Sequence, residues 1–197
     1  MKWQELESRG KMHKFDPKNL DKLDNPKRRE SMPPLEILKK FGIGEAGTLL
    51  DIGSGTGYFT LAAAEILKNG NAIGLDIMDE MIQVATSRSL GMNNIEYRKS
   101  EEYSFPVEDK SVEYVFISNV LHEIEDKVKY LNEIIRVLKP KGALCVIEWD
   151  KSPMEMGPPI EERISIEELK KLGSSVGLEF EEKIEINSGH YGIKFRN

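Results

Sequence analysis

Apolar positions along this chain follow two alternating rhythms. Short, mostly apolar runs recur at Leu49 to Ile52, Ala72 to Leu75, Val112 to Ser118 and Ala143 to Trp149, each reading as a strand, and Ile95 to Arg98 alternates as a strand does. Between them apolar residues recur at helical spacing: Phe59 to Leu67, then Met81, Ile82, Ala85 and Leu90, then Ile124, Val128, Leu131, Ile134, Ile135 and Leu138. Gly91 closes the second of these helices and Asp79 is positioned to cap it, while Pro140 and Gly142 end the third. An earlier helix carries Leu35, Ile37, Leu38 and Phe41, with Ser31 as its cap, Pro33 and Pro34 at its start and Gly42 at its end. A last helix starts at Ser165, with Glu168 in capping-box position, and ends at Gly177. Leu178 to Ile186 and His190 to Phe195 then alternate as two strands meeting at Asn187-Ser188-Gly189, a hairpin.

Strands that alternate with helices specify an α/β fold with a doubly wound, mainly parallel sheet, helices on both faces and right-handed crossovers. The closing hairpin adds an antiparallel strand and brings the count to seven. In such sheets ligands bind beyond the carboxyl ends of the strands. Those ends are Asp51 to Gly57, Asp76, Ser100 to Glu102, Ser118 to Glu123 and Glu148 to Asp150.

Composition sharpens this picture in a few places. The chain has 197 residues, 39% hydrophobic and 31% charged, which suits one domain with a sizeable core. No apolar run is long enough to span a bilayer and the start has no apolar signal core, so the default expectation is a cytoplasmic protein. One cysteine, Cys145, excludes an intrachain disulfide and a multi-cysteine zinc site. The net charge of −6 argues against a nucleic-acid partner. Residues 1–30 carry +3 of their own, leaving −9 on the rest. Residues 1–45 are expected to form an arm and helix that can cover the site, and 46–197 the main domain.

The candidate chemistry begins at Leu50-Asp51-Ile52-Gly53-Ser54-Gly55-Thr56-Gly57-Tyr58, where a strand runs through three alternate glycines into a helix. A dinucleotide fingerprint needs a third glycine at the position held by Tyr58, and a Walker loop needs a Gly-Lys-Ser/Thr ending that is missing. Asp51 precedes the loop and no Lys or Arg lies in it, the reverse of what a polyphosphate wants. A ligand with an ammonium, a sulfonium and a ribose diol suits Asp51 and Asp76, and S-adenosyl-L-methionine is such a ligand.

With Asp76 and Ile134-Ile135-Arg136-Val137-Leu138-Lys139-Pro140-Lys141-Gly142, this loop resembles the class I S-adenosylmethionine-dependent methyltransferases, over about residues 46–150. It is most similar to the small-molecule branch of the ubiquinone/menaquinone-biosynthesis type, with one extra lysine in the last motif. The resemblance implies a Rossmann-like fold and a loop of Gly53, Ser54, Gly55, Thr56, Gly57 and Tyr58 under the methionine moiety. It further implies Asp51 toward its ammonium, Asp76 on the ribose hydroxyls, Ile77 beside adenine, Ser100, Glu101 and Glu102 around the adenine amino group, and Ser118 and Asn119 at the sulfonium end.

The strand ends also hold candidate bases: His122 and Glu123 after the fourth strand, Glu148 and Asp150 around the fifth, of which His122 and Asp150 are carried forward as catalytic. His190 is expected far from the cleft, and Trp149 is a candidate wall. His13 lies in the arm. The residues after strand four lack the motif of amino-methylating nucleic-acid enzymes, which leaves a small organic methyl acceptor. Two other readings stay open at this point, a non-catalytic S-adenosylmethionine-binding protein and an NAD(P)-dependent reductase.

Overall fold

The computed structural model describes residues 24–154 and 157–197. His13 and most of the expected arm lie outside the described residues. The first elements are α1 (Pro26–Ser31) and α2 (Pro34–Lys40), followed by β1 (Ala46–Ile52), α3 (Tyr58–Ile66), β2 (Asn69–Asp76), α4 (Asp79–Arg88) and β3 (Ile95–Lys99). Then come β4 (Val112–Ser118), a short 3-10 turn (Leu121–Glu123), α5 (Lys127–Val137), β5 (Leu138–Trp149), α6 (Ile166–Ser175), β6 (Glu179–Asn187) and β7 (His190–Arg196).

The strands form a seven-stranded sheet in the order β3-β2-β1-β4-β5-β7-β6. Strands β1 to β5 pair in parallel, and β7 runs antiparallel to both β5 and β6. The expected fold class and hairpin are therefore present. The order reverses between β1 and β4, which opens a crevice at their carboxyl ends.

Continuous apolar runs form because both sheet faces are covered. Neighbours in a strand point to opposite sides, so Leu49, Phe116 and Cys145 join one core with Ile37 and Leu38 of α2 and Phe59 and Ala63 of α3. Their neighbours Leu50, Ile117 and Val146 join the other core with Leu131 and Ile134 of α5 and Leu169 of α6. Fully burying one such leucine contributes roughly 1.5–3 kcal/mol.

Several element boundaries differ from the sequence reading: Leu90 lies beyond the end of α4 and is exposed, and Ile124 precedes α5. Ser31 ends α1, and Pro33 occupies the N-cap of α2 with no side-chain cap. Met78 occupies the N-cap of α4, because Oδ1 of Asp76 already accepts a bond from the Met78 N–H at 2.9 Å, while Asp79 pairs with Lys99. Helix α5 passes straight into β5, since the N–H groups of Lys110 and Ser111 take the carbonyls of Arg136 and Val137 and Leu138 already pairs with Val112. Pro140 to Gly142 thus form an irregularity inside the strand, with Lys141 at φ 64°. The Ser165–Glu168 capping box of α6 is formed as read.

Candidate active site

A cavity of about 1090 Å³ opens at the carboxyl ends of β1 to β5. Its floor is the glycine loop. The N–H groups of Gly53 and Ser54 donate to the Leu75 carbonyl at 2.8 and 2.9 Å, which ties the loop to β2. Gly53, at φ +73°, has its missing Cβ position 2.5 Å from Cγ2 of Val120, so no side chain fits. Gly53, Ser54, Gly55, Thr56 and Tyr58 line the cavity. Gly57 does not: at φ +81° it caps α3, and a Cβ there would lie 2.3 Å from the Tyr97 hydroxyl. Its place is close packing of helix against sheet.

Two acids stand over this floor. Asp51 is 3% exposed and its Oδ2 accepts from the Thr60 hydroxyl at 2.6 Å. Burial pushes its carboxyl up to about 7, against the Thr60 bond that favours the charged form. Asp76 accepts from Gly55 N–H at 2.9 Å through Oδ2 and from Met78 N–H through Oδ1. Burial raises its carboxyl as well, opposed by these backbone bonds. Ile77 lies alongside, and the N–H of Ser100 donates to the Asp76 carbonyl at 3.0 Å, bringing Ser100, Glu101 and Glu102 to the same wall.

The opposite wall follows β4. Asn119 adopts φ 57°, a left-handed conformation that asparagine tolerates. Its Oδ1, like the hydroxyls of Ser118 and Ser54, is buried with no hydrogen-bond partner. Its Nδ2 lies 3.3 Å from Nε2 of His190, whose Nδ1 lies 3.1 Å from Oδ1 of Asn187. This network assigns the proton to Nδ1 of His190. Burial, with the charges of Arg28 and Arg163, holds that imidazole down at about 4, so it is neutral. The expectation that His190 is remote from the cleft is therefore corrected: β7 lies next to β5 and sets His190 directly behind Asn119.

His122 lines the cavity with a side chain only 6% exposed. Its Nδ1 lies 2.8 Å from Oε2 of Glu148, whose side chain is fully buried. Burial alone would lower the imidazole, but the Glu148 bond and charge, assisted by Glu123 and Glu162, raise it. Its Nε2 has Glu123 at 3.9 Å, beyond hydrogen-bonding distance. Asp150 is not part of the lining. Its backbone carbonyl accepts from Arg163, which also donates to Pro158 and Ser152 and ties the loop after β5 together. That loop contributes Pro158, Pro159, Glu161 and Glu162, and Trp149 walls the cavity beneath it.

Two contributors were missed from sequence. Thr60 is the polar residue in the first turns of an otherwise apolar α3, and that oddity was the available signal. Arg28, in the stretch of residues 1–30 that carries +3, has no role assigned by the sequence and also lines the cavity.

A model of the methyltransferase domain matches residues 43–185. The chain belongs to the methyltransferase-domain family. Among solved structures, that of an S-adenosylmethionine-dependent methyltransferase from Aquifex aeolicus superposes with a TM-score of 0.87 at 33% identity, covering 93% of this chain and 99% of that one. The [4+2]-cyclase SpnF shares the fold with a TM-score of 0.72 at 18% identity, covering 84% of this chain and 79% of that one. Among curated methyltransferases, the ubiquinone/menaquinone biosynthesis C-methyltransferase UbiE of Pasteurella multocida is 33% identical over 139 residues, 68% of this chain and 52% of that protein. The demethylmenaquinone methyltransferase of Staphylococcus aureus is 30% identical over 113 residues, 57% of this chain and 47% of that protein. The chain thus spans about half the length of these curated methyltransferase relatives. Among the described residues no helix is long and apolar enough to cross a membrane.

Proposed function

We propose that this protein is an S-adenosylmethionine-dependent methyltransferase acting on a small-molecule acceptor. The observation that carries the reading is the pair of acids, Asp51 and Asp76, presented over a glycine loop that has no Lys or Arg in its own sequence. A sulfonium nucleoside bearing an ammonium matches that charge. The orphaned buried oxygens of Ser54, Ser118 and Asn119 fit the same conclusion, since a polar ligand gives them partners.

In this reading Gly53, Ser54, Gly55, Thr56 and Tyr58 cradle the amino-acid end, and Gly57 shapes the turn from behind. Asp76 takes the ribose diol, with Ile77 beside the base and Ser100, Glu101 and Glu102 at its polar edge. Ser118 and Asn119 border the sulfonium end, and His190 fixes the Asn119 amide. When bound, S-adenosylmethionine supplies an electrophilic methyl on a good neutral leaving group. The chain's own contribution is alignment and exclusion of water, which can supply most of the acceleration. His122 accepts the proton that an acceptor O–H or N–H gives up, at Nε2, while Glu148 carries the balancing charge. Asp150 has no part in this proposal, because it does not line the cavity. The reductase alternative has no support in the family to which the chain belongs.

Calorimetry with S-adenosylhomocysteine, paired with methyl release from labelled S-adenosylmethionine across a panel of phenols, quinols and amines, tests the reading. Binding with turnover of at least one acceptor is the expected result. Absence of adenosyl binding refutes it, and tight binding with no turnover of any acceptor favours a non-catalytic binder.

A further inference from the structure

Arg28 is the unexplained residue of the cavity. It sits in the last turn of α1, with its own N–H capped by the Asn25 side chain at 3.0 Å. The helix is anchored on three sides. Asp24 pairs with Arg29 and Arg88, and Arg88 in turn donates to the carbonyl and hydroxyl of Thr56 at 3.0 and 2.9 Å. The Tyr58 hydroxyl donates to the Met32 carbonyl at 2.9 Å, and the Asn187 amide to the Ser31 carbonyl at 2.9 Å. The helix that carries Arg28 is thereby clasped to the glycine loop and to the hairpin.

The Arg28 guanidinium lies 4.7 Å over the Tyr58 ring and lines the cavity. Its Nε is buried and has no hydrogen-bond partner. A guanidinium stays charged at any working pH, and a buried donor left unpaired is costly. Asp51, in the same cavity, does not resolve this, since its Oδ2 accepts from Thr60 and burial outweighs the influence of Arg28 on its carboxyl. A cation whose Nε has no partner and a buried acid line the same cavity, and together they are complementary to the two ends of an α-amino acid.

Resting on the adenosyl-ligand reading above, we infer that Arg28 receives the α-carboxylate of the cofactor's methionine end while Asp51 faces its ammonium. The fork of guanidinium donors suits a planar carboxylate. The placement makes α1 part of the binding site, and Tyr58 serves as the platform that holds the guanidinium in line. A carboxylate on the acceptor has the same chemistry, and ligands that differ at the amino-acid end distinguish the two sources.

The test is calorimetry of the full chain with S-adenosylhomocysteine, decarboxylated S-adenosylhomocysteine and 5′-methylthioadenosine, for the wild type, Arg28→Met and Arg28→Lys. Arg28→Met weakens S-adenosylhomocysteine by about 10- to 100-fold and leaves the two carboxylate-free ligands within about twofold. Arg28→Lys retains an intermediate affinity. Equal weakening of all three ligands makes Arg28 a mere support of the loop and overturns the inference, as does unchanged affinity for S-adenosylhomocysteine, which leaves the acceptor as the carboxylate's source. A wild type that binds none of the three refutes the adenosyl reading itself.

Discussion

Nδ1 of His122 lies 2.8 Å from Oε2 of Glu148, at the end of a strand where the carboxylate has no access to water. The same carboxylate accepts from the His122 backbone N–H through Oε1 at 3.3 Å. Ring and main chain are thus held by one side chain, and Nε2 has Glu123 at 3.9 Å. Lys127, on α5, is the other cation that feels this charge. Glu123 from the same turn and Glu162 from the loop after β5 face the ring as well.

This pair predicts a pH dependence. The folded His122 titrates above its ordinary 6.5, so its stabilising contribution is complete below 6.5 and is lost as pH rises through the raised folded value. Glu148→Gln removes the charge and keeps the burial, so the imidazole falls below 6.5. An NMR titration of the His122 ring protons reads this shift with no ligand present. An unmoved titration shows that Glu148 does not govern the ring. In turnover assays the wild-type rate is expected to rise with pH through the raised value, and the Glu148→Gln profile to start at lower pH with a smaller plateau.

Asp51 predicts the second pH effect. Its folded value of about 7 lies above that of the unfolded chain, so its contribution is complete in acid and is lost as pH rises from the ordinary carboxylate range to about 7. Asp51→Asn is expected to be more stable than the wild type above about pH 7, by roughly 1–4 kcal/mol, with the difference shrinking toward pH 4. Thermal unfolding at several pH values measures it. A ligand ammonium also requires the ionised acid, so binding S-adenosylhomocysteine near pH 6 releases a proton, seen as a binding enthalpy that depends on the buffer. A buffer-independent enthalpy separates Asp51 from the ammonium.

What was legible in the chain was periodic or punctuated. Strands buried on both faces leave continuous apolar runs, and the glycine turn and capping box leave local marks, so sheet, loop and α6 were readable. The Asp51 and Asp76 positions were readable too, because each acid lies at or near the end of an apolar strand run, Asp51 just ahead of the glycine turn. Arg28 was not, since its role depends on α1 folding back over Tyr58, a contact between distant segments that a basic run does not encode. The pairing of His122 with Glu148 was half visible: both were candidates, but only the β4–β5 register brings them together. Asp150 follows the lining residue Trp149, its backbone carbonyl accepts from Arg163, and it is not among the lining residues.

Asp76 holds the loop as well as facing the cavity, through bonds to the N–H groups of Gly55 and Met78. Asp76→Ala removes both backbone acceptors and the charged acceptor for a ribose diol. The affinity for S-adenosylhomocysteine is expected to fall by ~1–3 kcal/mol, or about 5- to 150-fold. Asp76→Asn keeps one backbone acceptor and loses less. Equal affinities in wild type and Asp76→Ala remove this acid from the site.

Gly57 separates a structural glycine from one that faces the ligand. It adopts φ +81°, and its Cβ position lies 2.3 Å from the Tyr97 hydroxyl and 3.4 Å from the Ala85 Cβ. Gly57→Ala therefore meets both left-handed strain and a clash with a half-buried tyrosine held between α4 and the sheet. Together these are expected to destabilise the fold by about 2–4 kcal/mol, which chemical denaturation measures. Adding Tyr97→Phe removes the atom at 2.3 Å and returns the steric part of the loss but not the backbone part. Full additivity of the two substitutions shows that the hydroxyl is not the obstacle. Affinity for adenosyl ligands in the folded fraction is expected to change little, because Gly57 reaches the cavity only through the shape it imposes on Thr56 and Tyr58.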